Sequence, residues 1–258
     1  MKVIFEDEKM IIVEKDPGEL TQSGKVSEPD LISRLQVMRK QRKEPPFIAV
    51  LNRLDRPVGG LVLFAKDSKT TARLTEQMKA GRIHKTYETW VMKVGNTATE
   101  TEAGRLEDFL LKDGRTNKSA VVPEGTKDAK KAILEYKVLK RAHDAAGHEL
   151  LLLRIHLLTG RHHQIRAQLS SRGFVILGDS KYLDDARKSG ADASQSAGTS
   201  NARGEVKQSA GASDAGMPGI PQLRRGQIAL YSVELTIGEG TKQERSFNIK
   251  WDGENWTF

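Results

Sequence analysis

The sequence predicts an α+β fold: a mixed, mainly antiparallel sheet flanked by helices and loops. Three observations predict it. Short apolar runs bounded by turn residues recur along the chain, beginning with VIFEDEKMIIVEK. ILEYKVLKR and ELLLLRIHLL are two strand-like runs joined by AHDAAGH, the pattern of a hairpin. Helical periodicity appears in isolated segments set among these strands.

Taken in order, MKVIFEDEKMIIVEK reads as a strand, a tight DEK turn and a second strand. From Glu28 to Lys43, Leu31, Ile32, Leu35 and Met38 fall at helical spacing and lead into the basic run RKQRK; Pro45 and Pro46 stop the helix. That basic end suits a solvated helix terminus or an RNA contact. FIAVL and LVLFA then read as buried strands on either side of NRLDRPVGG. Ser68 is the expected N-cap of a helix running to about Lys79, with Leu74 and Met78 facing inward and Gly81 ending it. In HKTYETWVMKV, Tyr87, Thr89 and Val91 alternate with Thr86, Glu88 and Trp90 as a strand requires. After the hairpin, TGRHHQIRAQLSSRG gives a turn and a short helix holding Ile165 and Leu169, with Gly173 as its stop. LRRGQIALYSVELTI and SFNIKWDGENWTF close the chain as strands.

The stretch from Ala186 to Gln222 differs in kind. Ala, Ser and Gly supply 20 of its 37 residues, and its only large aliphatics are Val206, Met217 and Ile220. Such a segment buries too little apolar surface to offset its ordering entropy. It is expected to be a mobile insertion in a single domain spanning residues 1–258.

Composition narrows the function. There is no cysteine, which excludes a disulfide scaffold and thiolate metal sites and suits a reducing, cytoplasmic setting. No apolar run is long enough for a membrane span, and the charged N-terminus is no signal peptide. The net charge of +8 favours a polyanionic partner. Phosphate-loop, dinucleotide and zinc-protease motifs are missing, so no cofactor is expected. His162 and His163 are adjacent, without a companion carboxylate at ligand spacing; they read as polar, loop-side residues, and no metal is expected.

What stands out is Asp55, flanked by Arg53 and Arg56 in a segment where Asn, Asp, Gly and Pro alone would make a turn. On its own this could be a turn stapled by an ion pair. Tyr87 could be an ordinary sheet tyrosine and Arg166 a solvated helix residue. Arg161 could contact phosphate or pair with Asp55.

Three stretches together resemble the motifs of the RluA-type RNA pseudouridine synthases. NRLDRPVGGLVLFAK is similar to that family's HRLDxxTSGLLLFAK nucleophile loop, and HKTYETWV to its K-x-Y strand. LLTGRHHQIRAQLSSRGFVILGDSKY resembles its LxTGRxHQIRxHLxxxGxPIxGDxxY segment. The likeness covers roughly residues 1–183 and resumes at 223–258. Asn52, Gly59 and Gln168 stand where the family usually has His, Ser and His. Because the pattern starts at Val3, an N-terminal S4-type RNA-binding domain is expected to be absent.

The resemblance implies a pseudouridine synthase-like fold and the isomerisation of uridine in structured RNA, rRNA first and tRNA next. That reaction cleaves the N1–C1′ bond, turns the base and rejoins it through C5. It implies Asp55 as the catalytic carboxylate, which must be ionised, and Arg166 as the guanidinium that favours its charge. Tyr87 would stack under the uracil and help remove the C5 proton. The nucleotide must leave its stack, and Arg53 would fill the vacated space. Asn52, Arg56, Lys85, Arg161 and Gln164 would contact RNA. A monomer is expected. The rival readings are a catalytically silent RNA-binding relative acting in ribosome assembly, and a hydrolase using Asp55, for which no oxyanion hole or water-activating base is evident.

Overall fold

The computed structural model describes residues 1–23, 28–94, 101–192 and 223–251. Strands β1 (Lys2–Glu6) and β2 (Met10–Lys15) precede helix α1 (Leu31–Gln41), and β3 (Ala49–Val50) and β4 (Gly59–Ala65) precede α2 (Ser68–Lys79). Then come β5 (Ile83–Lys93), β6 (Ala103–Asp113), β7 (Lys118–Val122), β8 (Lys130–His143) and β9 (Glu149–Leu157). Helix α3 (Gln164–Ser170), β10 (Phe174–Ile176), α4 (Leu183–Asp192), β11 (Leu230–Ile237) and β12 (Arg245–Asn248) complete the order.

The strands form one sheet ordered β1-β2-β4-β11-β5-β9-β8-β6-β7, with β3 beside β4, β10 beside β5 and β12 beside β11. Among the described residues β4 and β11 run parallel, with Tyr231 opposite Gly59 and Ser232 opposite Gly60, and every other strand pair is antiparallel. The mixed, mainly antiparallel sheet is therefore as expected.

Strand alternation divides the core between two faces. Ile11, Val13, Val62 and Phe64 pack with Leu31 and Leu35 of α1 and with Ile165 and Leu169 of α3. Their neighbours Met10, Ile12, Leu61 and Leu63 pack with Leu74 of α2 and Leu235 of β11. Both faces of β2 and β4 are covered, which explains why these strands read as continuous apolar runs.

Some boundaries move. The cap of α2 is Asp67, not Ser68: its carboxylate accepts the Thr70 N–H at 2.7 Å, leaving Ser68 as the first helical residue. Helix α1 starts later than Glu28 because Asp30 caps it, accepting the Ser33 N–H at 2.7 Å. The basic run at its end is exposed apart from Arg39. Arg39 is buried and pairs with Glu44 at 2.8 Å, and Arg42 pairs with Glu6 at 2.9 Å. Helix α4 carries ordered chain past Ala186, whose side chain is buried, so residues 186–192 do not belong to an unstructured insertion. The remainder of that stretch, residues 193–222, lies outside the described residues.

Candidate active site

The loop between β3 and β4 is held by polar groups that the sheet has already buried. Asn52 imitates a strand partner: its Nδ2 donates to Leu61 O at 3.2 Å and its Oδ1 accepts from Leu63 N at 2.8 Å. The Thr21 hydroxyl donates to Leu54 O at 3.0 Å and accepts from Leu54 N at 3.2 Å. The buried Lys15 ammonium donates to Asp16 O at 3.1 Å, Glu19 O at 2.9 Å and Arg56 O at 3.2 Å, while Gly18 N donates to Arg56 O at 2.7 Å. Burial pulls the Lys15 pKa down to about 8. Leu54 and Arg56 are thus fixed on either side of Asp55, and the turn closes through Val58 N donating to Asp55 O at 3.0 Å.

The Asp55 side chain is 30% exposed, and its Oδ2 lies 3.3 Å from Arg166 Nη1. Arg166 projects from α3, a helix whose residues are all buried. Its Nε and Nη2 donate to the two oxygens of Asp179 at 2.6 and 2.8 Å, and the guanidinium lies 5.0 Å from the centroid of the Tyr182 ring. Burial opposes its charge, but the Asp179 hydrogen bonds and the charges of Asp179 and Asp55 outweigh burial and raise its pKa. The solvated-helix reading of Arg166 is excluded by its 5% exposure.

Tyr87 is buried in the middle of β5, opposite Ile155 of β9 and Ser232 of β11. Burial above all, with the Asp55 charge adding, drives its hydroxyl well above the ordinary range, so it stays protonated. Lys85, two residues earlier on the same face, is buried as well, and burial lowers its pKa. A Cβ on Gly160 would stand 3.2 Å from its ammonium, so the TGR turn approaches it closely.

The expected RNA contacts separate into two groups. Arg53, Arg56 and Arg161 are exposed. Arg53 makes no hydrogen bond or ion pair among the described residues, Arg56 pairs with Glu28 at 3.2 Å, and Arg161 Nε donates to Lys131 O at 2.8 Å. With Lys85, itself buried, Asn52 and Gln164 make the second group. Both are buried, and their amides serve the backbone: Gln164 Oε1 accepts from Arg161 N at 3.0 Å and its Nε2 donates to Ile133 O at 3.0 Å. An amide spent on main-chain partners has little left for a nucleotide.

The sequence reading missed three participants. His163 was set aside with His162, yet its Nε2 lies 3.3 Å from Asp55 Oδ2. It stands just before α3 as its N-cap, in the left-handed conformation at φ 51°, so no helix-face pattern in the sequence marked it. Asp179 and Tyr182 stood in GDSKY without a role. Gly59 also finds its reason: a Cβ there would meet the Tyr231 ring at 2.1 Å, so the tyrosine fills the space a serine would need. Gln168, fully buried, donates to Asp108 Oδ2 at 2.7 Å. Among the described residues no group of three or more His, Asp or Glu side chains is placed to hold a metal ion, and no helix is long and apolar enough to cross a membrane.

Residues 9–171 match the RNA pseudouridylate synthase family. The chain is 32% identical over 184 residues to the dual-specificity RNA pseudouridine synthase RluA of Vibrio vulnificus, covering 70% of this chain and 68% of that protein. It is 28% identical over 184 residues to ribosomal large subunit pseudouridine synthase D of Pseudomonas aeruginosa, covering 70% of this chain but 53% of that longer protein. In fold it resembles the solved structure of human RNA pseudouridylate synthase domain containing 4, with a TM-score of 0.63 at 17% identity over 96% of this chain and 88% of the other. On the family match and the Vibrio vulnificus relative, the chain belongs to the RNA pseudouridylate synthase family, whose members are isomerases acting on RNA.

Proposed function

We propose that this protein isomerises uridine to pseudouridine in structured RNA with Asp55 as the group that opens the reaction. One observation carries the reading: the part-exposed Asp55 carboxylate touches a buried guanidinium whose other partner, Asp179, is sealed at 2% exposure. Arg166 is therefore rigid, while Asp55 can reach a substrate. In this role Asp55 acts as nucleophile toward the ribose or the base, or as the base in an elimination. Tyr87 supplies the ring beneath the uracil and helps remove the C5 proton. Arg53, exposed two residues before Asp55, fills the space a flipped nucleotide leaves. Arg56 and Arg161 contact phosphate.

The substrate proposed is ribosomal RNA, with tRNA next, because the similar Pseudomonas aeruginosa protein is named for the large ribosomal subunit. The enzyme is proposed to work as a cytoplasmic monomer, as one catalytic domain in which residues 193–222 form an insertion that the chemistry does not need.

The test is release of tritium from RNA carrying 5-tritiated uridine. The wild type should release it. Asp55→Asn keeps the loop's shape and should reduce release by at least about a thousandfold, as removal of a covalent catalyst does, with RNA affinity retained. Wild-type protein that binds RNA but releases nothing would be a silent RNA-binding relative, and an active Asp55→Asn enzyme would remove Asp55 from the mechanism.

A further inference from the structure

Arg166 has a partner beyond its two carboxylates. Its Nε and Nη2 donate to Asp179 at 2.6 and 2.8 Å, while Nη1 reaches both Asp55 Oδ2 at 3.3 Å and His163 Nε2 at 3.2 Å. The histidine nitrogen also stands 3.3 Å from Asp55 Oδ2, but no hydrogen bond joins those two. One amino group of the guanidinium therefore serves a carboxylate and an imidazole together.

That contact decides where the imidazole carries its proton. A guanidinium only donates, so Nε2 presents its lone pair. The proton of the neutral ring is then on Nδ1, which donates to Tyr182 Oη at 2.9 Å. The same oxygen accepts the Ser119 N–H at 2.8 Å, so both of its acceptor sites are used. The phenol proton has no partner among the described residues. A neutral hydroxyl left that way costs less than an Nε2–H turned against a buried cation.

The ring is also kept from gaining a second proton. It is buried, and the titratable and charged groups around it are Arg166 on α3, His162 stacked at 3.9 Å, Tyr182 before α4, Lys181 beside it, Lys112 on β6 and Asp55. Burial, then the Arg166, His162, Lys181 and Lys112 charges, hold its pKa down to about 2.

We propose that His163 is a positioning residue, a neutral acceptor protonated on Nδ1 that fixes the Nη1 end of the Arg166 guanidinium and so aims it at Asp55. The proposal rests on the reading of Asp55 as the catalytic group. Its physical logic follows from how Arg166 is held. Two hydrogen bonds to one carboxylate secure a single edge of the planar guanidinium, Nε and Nη2, and leave it free to hinge about that edge. Nη1 lies off the edge, so a contact there stops the hinge. Asp55 is part-exposed and must stay free to meet a substrate. His163 is buried, stacked on His162 and tied to Tyr182, and can serve as the fixed point. Being uncharged, it holds Nη1 without competing with Asp55 for the cation; a second carboxylate in its place would draw the guanidinium away.

Two measurements test this. In the RNA-free enzyme with 15N-labelled histidine, the His163 resonances, assigned by their loss in His163→Gln, should show a protonated Nδ1 and an unprotonated Nε2 throughout the mildly acidic to neutral range. An Nε2–H tautomer or an imidazolium would overturn the proposal whatever the activity. Tyr182→Phe should leave the tautomer in place, because Arg166 sets it; a switch to Nε2–H would show that Arg166 does not. In kinetics, His163→Met should lower kcat by about tenfold, the worth of one hydrogen bond to a charged group, with KM for RNA unchanged. His163→Gln, whose Oε1 can accept in place of the ring nitrogen, should restore most of that loss. Equal losses in the two variants, or none in His163→Met, would overturn it. If His163→Met does not fold, His163→Phe takes its place with the same expected loss, since it keeps a ring against His162 and removes the acceptor. An active Asp55→Asn enzyme would sink the reading of Asp55 while leaving the tautomer result standing.

Discussion

Arg166 and Arg154 each sit between two carboxylates, and they could hardly differ more in what surrounds them. Arg166 joins Asp179 and Asp55 on the face of the sheet that Tyr87 presents. Arg154 joins Glu88 at 3.2 Å and Glu234 at 2.8 Å on the face that the next residue of β5 presents. Arg154 is 45% exposed and helps line an open groove of about 630 Å³; Arg166 is 5% exposed. That groove is lined by Arg154, Glu234 and Tyr136, and Asp55 is not among its lining residues. The two arginines have the same set of partners in kind, and burial separates them. An exposed arginine trades its partners for water at little cost, about 0–1 kcal/mol per pair. A buried one must keep them, and so can hold a carboxylate in place for a substrate.

The largest effect that would sharpen this contrast is on Asp179. Asp179→Asn leaves a buried guanidinium with one part-exposed partner, and should destabilise the fold by about 3–5 kcal/mol while lowering turnover, because Arg166 is then no longer aimed. Urea unfolding of the variant measures the first effect and tritium release the second. A loss below about 1 kcal/mol would mean that Arg166 is as replaceable as Arg154.

How much of this was legible beforehand follows the same division. The strands of the two hairpins, the β5 alternation and the α3 stop at Gly173, whose φ is 76°, came through because they depend on local pattern and turn chemistry. Strands β6, β7 and β10 were not assigned: β6 mixes exposed and buried positions at the end of the sheet, and the three residues of β10 are strand only because they pair with β5. In the site, Arg166 meets Asp55 at 3.3 Å, and the Asp55 charge acts on the Tyr87 hydroxyl. The burial of Asn52 and Gln164 was not legible, since a polar residue in a motif is not thereby exposed. His163, Asp179 and Tyr182 were missed because their meaning lies in convergence, with Asp179 reaching Arg166 from thirteen residues further on.

Gly59 offers a smaller and more local test. It begins β4, the strand that follows the Asp55 loop, and it abuts β11, which carries Glu234 of the other cluster. Gly59→Ser would drive a Cβ into the Tyr231 ring and should cost about 1–3 kcal/mol, the usual range for overpacking. Tyr231→Val should relieve that strain in the double variant, at the expense of the Tyr231 hydrogen bond to Glu14 at 2.9 Å. Turnover should fall in Gly59→Ser, because the strand that must move adjoins Asp55. Strictly additive losses in the double-mutant cycle would show that the ring and the glycine are not complementary.

The exposed cluster should tolerate change. Arg154→Ala should cost less than about 1 kcal/mol and leave tritium release unaltered. A loss comparable to that of Asp179→Asn would erase the distinction between the two arginines.

Glu88 gives the smallest effect and the one with an informative sign. Burial raises its pKa; Arg154 lowers it less than burial and Glu234 together raise it. A carboxylate with a raised folded-state pKa is harder to ionise in the native protein than in the unfolded chain. It therefore opposes folding by an amount that grows as the pH rises from the ordinary carboxylate value to its folded pKa and is full above that, and the penalty disappears below the ordinary carboxylate range, where both states are protonated. Glu88→Gln removes that penalty and leaves Arg154 its pair with Glu234 at 2.8 Å. The variant should be more stable than wild type near neutral pH, by no more than about 0.5 kcal/mol, and the two should converge in acid. Urea midpoints measured at neutral pH and in acid decide the matter. A variant less stable than wild type at neutral pH would mean that the Arg154 attraction exceeds the cost of burying Glu88, and that this exposed arginine holds its carboxylates more firmly than its surroundings imply.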